Sequence, residues 1–118
     1  MKGSNIIVEK SYVFALDIVK LCFYIQREKK EYVLSRQLLK SGTSIGANVE
    51  EAVGGISKAD FLAKMQIAYK EARESHYWIR LMKDSMLLEE QVSHKMINNC
   101  EELLKILSAI LKTGKSVK

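Results

Sequence analysis

Residues 35–55, SRQLLKSGTSIGANVEEAVGG, place small residues in the middle of an apolar helical stripe. Leu34, Leu38, Ile45, Val49 and Ala52 succeed one another at four, seven, four and three residues, and Ser41 and Gly42 fill the gap on the same side. A strip without bulk must be met closely by a neighbouring helix or leave a void, and protein interiors tolerate few voids. Gly42 and Gly46 are therefore assigned to close helix packing. Their four-residue spacing is the one that dimerises membrane helices, but the polar flanks here exclude that meaning.

The rest of the chain has the same helical grain. There is no proline in 118 residues, and Leu, Ile, Ala, Lys and Glu dominate, which favours long uninterrupted helices. A first helix over about 6–29 carries one stripe through Val8, Tyr12, Ala15, Val19, Cys22 and Gln26 and a second through Phe14, Ile18, Leu21 and Ile25, with Leu16 and Phe23 widening the apolar surface. More than half of its circumference is apolar, so a second covering is expected, either the rest of a tightly wrapped bundle or another subunit. Phe14, Ile18, Leu21 and Ile25 are assigned to a subunit contact, together with Trp78.

Ser35 is the candidate N-cap of a second helix over about 36–53, with Gly54 and Gly55 ending it in a left-handed cap. Ser57 and Asp60 have capping-box spacing and open a third helix over about 58–86. A fourth, over about 89–112, has the strongest periodicity, through Met96, Cys100, Leu103, Leu107 and Ile110. Short connections between long helices predict an all-α, antiparallel up-down-up-down left-handed four-helix bundle in one domain spanning residues 1–118.

Candidate chemistry is sparse. Di-iron bundles need Glu-x-x-His, whereas His76 and His94 follow Arg73 and Gln91 at that spacing. His76 lies between Ala72 and Ile79 and is expected to be a hydrogen-bonded core imidazole, with His94 facing solvent and Asn48 hydrogen-bonding beside the glycine strip. Cys22 and Cys100 lack metal spacing and read as buried thiols of a reducing compartment. Neither a phosphate loop nor a nucleophile with a partner is recognisable, so no catalytic residue, cofactor or metal is assigned and the chain is read as no enzyme. No run approaches the ~18 apolar residues of a membrane span, so a cytoplasmic chain without membrane contact is expected.

A surplus of 19 basic over 14 acidic residues, +5 net, suits an anionic partner. Arg27, Lys29 and Lys30 cluster at the end of the first helix, and Arg36 and Lys40 lie on the second. On the third, Lys70, Arg73, Tyr77 and Arg80 recur at three, four and three residues, a cationic stripe with a ring that fits phosphates and a base. The alternatives are a solvated face, with Lys70 pairing Glu74, or a protein contact through Tyr77 and Trp78.

The successions EYVLSRQLLKSGTSIGANVEEA, SKADFLAKMQIAYKEARESHYWIRLM and EELLKILSAILKT resemble a bacterial four-helix-bundle family that includes proteins encoded in intervening sequences of 23S ribosomal RNA genes. Gln37–Leu38, Ser44–Ile45, Asn48–Val49–Glu50, Ile67–Ala68 and the stretch from Lys70 to Trp78 match its pattern. The chain departs from it at Glu51–Ala52–Val53–Gly54, where many relatives have Ala-Glu-Gly, and at Lys29–Lys30, where many have proline. The resemblance implies assembly with copies of itself, often as a pentameric ring. The chain is also similar to the accessory protein of diversity-generating retroelements, which implies a basic surface for RNA or DNA and a protein partner, a reverse transcriptase. The expectation is a homo-oligomer that binds nucleic acid with little sequence reading; the second reading is a scaffold for a different protein.

Overall fold

The computed structural model describes the backbone of residues 2–116 and the side chains of residues 5–114. Four helices account for nearly all of it: α1 (Lys2–Lys29), α2 (Val33–Val53), α3 (Lys58–Asp84) and α4 (Glu90–Ser116). No strand occurs among the described residues. Helices of 27 or 28 residues extend about 40 Å at 1.5 Å per residue, in keeping with overall extents of 48 × 21 × 19 Å.

Each helix packs on the next, and α1 closes on α4, leaving α1 diagonal to α3. Neighbours run in opposite directions. Gly46 meets Ser11 and Gly42 meets Ile18. The Gln26 amide donates to the Ser35 hydroxyl, so numbers fall along α2 as they rise along α1. Glu51 pairs with Lys64 while Ser41 Oγ lies 2.9 Å from Ser75 Oγ, which orients α3 against α2. On the closing seam Lys10 pairs with Glu102 at 3.1 Å, while Leu21 and Tyr24 lie across from Leu88 and Val92.

The helix ends differ from the expected chemistry. Ser35 does not cap α2. Tyr32 holds the cap position, and the Glu31 carboxylate accepts from the amides of Val33, Leu34 and Ser35 at 2.8 to 3.0 Å, an anion on the positive end of the helix dipole. Ser35 is instead buried, donating its hydroxyl proton to the Glu31 carbonyl oxygen. Nor do Gly54 and Gly55 adopt a left-handed conformation; Gly54 has φ −83°. The left-handed positions belong to Lys30 (φ 55°) and Met86 (φ 67°), where the chain leaves α1 and α3. Ser57 caps α3 as expected, accepting from the Asp60 amide at 3.1 Å.

The core corrects the assignment of the first helix. Phe14, Ile18 and Ile25 are buried inside the bundle, with Ile7 and Cys22, and cannot form a subunit contact. Leu21 and Trp78 are half-buried and pack against that core. The small strip of α2 decides the matter: a Cβ on Gly42 would stand 2.8 Å from Ile18 Cγ1, so Ile18 fills the space that the glycine leaves. The outward face of α1 is nonetheless apolar. Tyr12 (61% exposed), Leu16 (44%) and Phe23 (52%) form one strip, Ile6, Val13 and Tyr24 a second beside α4, and Glu9, Lys20 and Arg27 run between them.

Both thiols are buried and unpaired, and burial pushes each up from 9.0 to about 12. Cys100 donates to the Ala72 carbonyl oxygen at 3.3 Å. Since the thiolate is the reactive species, neither cysteine is expected to react with a thiol reagent at neutral pH until the chain unfolds. Unfolded thiols ionise from pH 9 upward while folded ones hold their protons to about 12, so stability is lost progressively across that window. Thermal melts between pH 8 and 11 check this; reaction of native protein at the rate of a free thiol would contradict it.

Candidate nucleic-acid interface

The cations singled out by sequence fall into two groups. Arg27, Lys29 and Lys30 end α1, and Arg36 opens α2 at the same end of the bundle, where the last turn of α3 brings Arg80 and Lys83. Arg27 is taken up locally by Glu28 at 3.0 Å. Lys29 shares a cleft of about 990 Å³ with Lys20 and Lys83, floored by Leu21, Tyr24, Leu87 and Leu88 and edged by Asp84, Glu89 and Glu90. Acidic and basic groups balance along that cleft.

The second group runs along α3. Lys70, Arg73, Tyr77 and Arg80 are exposed, and the helical period holds them on the side turned away from α1. Lys40 of α2 and Lys70 both act on Glu71. Burial and then the charge of Glu74 raise the Glu71 carboxyl above its ordinary range, with the two lysines opposing the rise. Among the described residues none of Arg36, Lys40, Lys70, Arg73 and Arg80 forms a salt bridge. The alternative Lys70–Glu74 pair does not form; Glu74 accepts from Trp78 Nε1 at 3.2 Å. Arg80 lies over the Tyr77 ring at 5.9 Å, and Trp78 meets that ring edge-on at 5.1 Å. Sequence reasoning missed both contacts, although the three-residue spacing of Tyr77 and Arg80 signals the first.

The histidines offer no site. His76 is half-buried rather than in the core, with Nε2 3.0 Å from Glu101, and His94 is exposed. Asn48 donates to the Ser44 carbonyl oxygen at 2.8 Å. Among the described residues no group of three His, Cys, Asp or Glu could hold a metal ion, and no helix is long and apolar enough to cross a membrane.

A model of the 23S rRNA-intervening sequence proteins matches residues 4–109. The chain belongs to that family. This 23S rRNA-intervening sequence protein is also similar to a crystal structure described as a protein with unknown function from the S23 ribosomal protein family of Bacteroides thetaiotaomicron. The two share 41% identity and a TM-score of 0.91 over 93% of this chain and 98% of the other. No curated protein matches. The family and the neighbouring structure establish the four-helix architecture of this 23S rRNA-intervening sequence protein without supplying an activity.

Proposed function

We propose that this chain is the subunit of a non-catalytic homo-oligomer, a pentameric ring on the strength of the family resemblance, that binds RNA or DNA through phosphate contacts. One arrangement supports the reading: the apolar outer strips belong to α1, the cationic stripe with its tyrosine to α3, and the two helices are diagonal in the bundle. Copies joined through α1 keep their α3 stripes accessible, so assembly and binding do not compete for surface. Joining several such stripes also multiplies weak contacts, since the second engagement becomes effectively intramolecular.

Binding of this kind falls steeply with salt, because each phosphate neutralised releases condensed counterions. Changing Arg73 and Arg80 together to Gln is expected to lower the slope of log affinity against log salt by about 1.4 on single strands or about 1.8 on duplex, two contacts' worth. Titrations of a labelled oligonucleotide between 50 and 200 mM salt, on the order of the range where such effects are large, measure it. Salt-independent binding, or none at low ionic strength, removes the nucleic-acid reading.

The second reading, a scaffold for a different protein, draws on the α1–α4 cleft, whose Leu21, Tyr24, Leu87 and Val92 suit an amphipathic helix. A stoichiometric protein recovered from nuclease-treated lysate, and lost when Tyr24 is changed to Glu, distinguishes it.

A further inference from the structure

Phosphates explain the cations on α3 but not the tyrosine among them. Tyr77 is 50% exposed, and its ring has the Arg80 guanidinium 5.9 Å from its centre and a T-shaped contact with Trp78. Trp78 is itself anchored, half-buried against the core with its indole nitrogen tied to Glu74. The ring is therefore fixed in orientation while open to solvent, so a second flat group meets it with little further loss of side-chain freedom. Leu81, one turn on and partly exposed, extends the apolar surface along the helix. Lys70 and Arg73 precede the ring and Arg80 follows it, over about 15 Å of helix.

A duplex can use the cations of this surface but not its ring. Its base faces are hidden in the stack, and it offers a protein only groove edges and phosphates. An unpaired strand exposes base faces between its phosphates, matching a cationic track with a preset aromatic ring inside it. Resting on the nucleic-acid reading above, we infer that the α3 stripe is a single-strand site: Lys70 and Arg73 hold the backbone, and an unpaired base stacks on the Tyr77–Arg80 pair. The site is indifferent to base identity, since every base has a π-face. RNA and DNA share the required chemistry, and separate probes distinguish them.

The full-length protein is titrated with a labelled single strand of mixed sequence, as RNA and as DNA, and with the same sequence closed into a hairpin duplex, at one salt concentration. The single strands are expected to bind at least tenfold tighter. Tyr77→Ala is expected to weaken single-strand binding roughly 5- to 100-fold, the range measured for loss of one stacked base, and to leave duplex binding unchanged. Tyr77→Phe keeps the π-face and retains affinity. Trp78, the sole tryptophan, adjoins the ring, so its fluorescence is expected to respond to the single strand and not to the duplex. Equal affinity for both forms, or a Tyr77→Ala variant that loses neither or loses both alike, overturns the single-strand site while leaving phosphate binding intact. Absence of binding to any probe at low salt overturns the phosphate reading with it.

Discussion

Changing Leu16 and Phe23 together to Glu is expected to reduce the proposed assembly to 13.5 kDa particles with their helicity intact. Both side chains project from the outer strip of α1, half exposed, and support none of the bundle's own core. Covering an apolar side chain of this size is worth about 1.5–3 kcal/mol when complete, so each contributes roughly 1 kcal/mol from the half still open to water. Two carboxylates in their place add a desolvation penalty of several kcal/mol per charge. At 1.4 kcal/mol per tenfold, each contact weakens by at least about a thousandfold. Light scattering of both proteins at micromolar concentration provides the measurement. A wild-type chain that is already monomeric, or a double variant that still assembles, removes α1 as the contact. The same exchange at Phe14 makes the contrast: that side chain is 2% exposed and in the core, so Phe14→Glu is expected to unfold the chain rather than dissociate it.

The contrast between Phe14 and Phe23 also marks how far the sequence could be followed. The apolar periodicities locate all four helices to within a few residues, and Ser57 announces its cap because the bonding amide lies three residues away. Periodicity gives the angle between two stripes on α1, but it carries no sign saying which one faces inward. That depended on a partner: Ile18 fits the space over Gly42, and only α2 in place shows this. The α2 cap was hidden for a related reason, since Glu31 sits before the helix and reaches forward to its amides, whereas the serine in the expected position is buried against Gln26. Left-handed Lys30 and Met86 were equally illegible, because that conformation is uncommon away from glycine and here follows from where short connections must turn. On α3 the sequence supplied the spacing of the cations and the ring. What it lacked was the disposition of Glu74, which bonds to Trp78 and not to Lys70.

Substitution of Gly42 tests the close approach on which that inward orientation depends. A Cβ there would lie 2.8 and 2.9 Å from the two γ carbons of Ile18, which are near the backbone of a β-branched, fully buried residue and have little room to yield. Gly42→Leu is expected to destabilise the chain by roughly 3 kcal/mol through overpacking. Gly42→Ala gains about 1 kcal/mol in helix propensity yet is expected to lose about 1 kcal/mol net, because the clash outweighs that gain. Gly46 behaves differently: its Cβ would stand 3.3 Å from the Ser11 carbonyl oxygen, so a shift of a few tenths of an ångström suffices and Gly46→Ala is expected to be near neutral. Truncating Ile18 to Ala alone costs about 2–5 kcal/mol by opening a cavity. In the double variant the alanine at position 42 occupies part of that cavity, so the loss is expected to fall short of the sum by about 1–2 kcal/mol. Denaturant unfolding of the four proteins, with unchanged m-values, measures that coupling. Strict additivity, or a Gly42→Ala variant more stable than the wild type, would mean that α1 and α2 do not meet at Ile18 and Gly42, and the core face of α1 would have to be assigned anew.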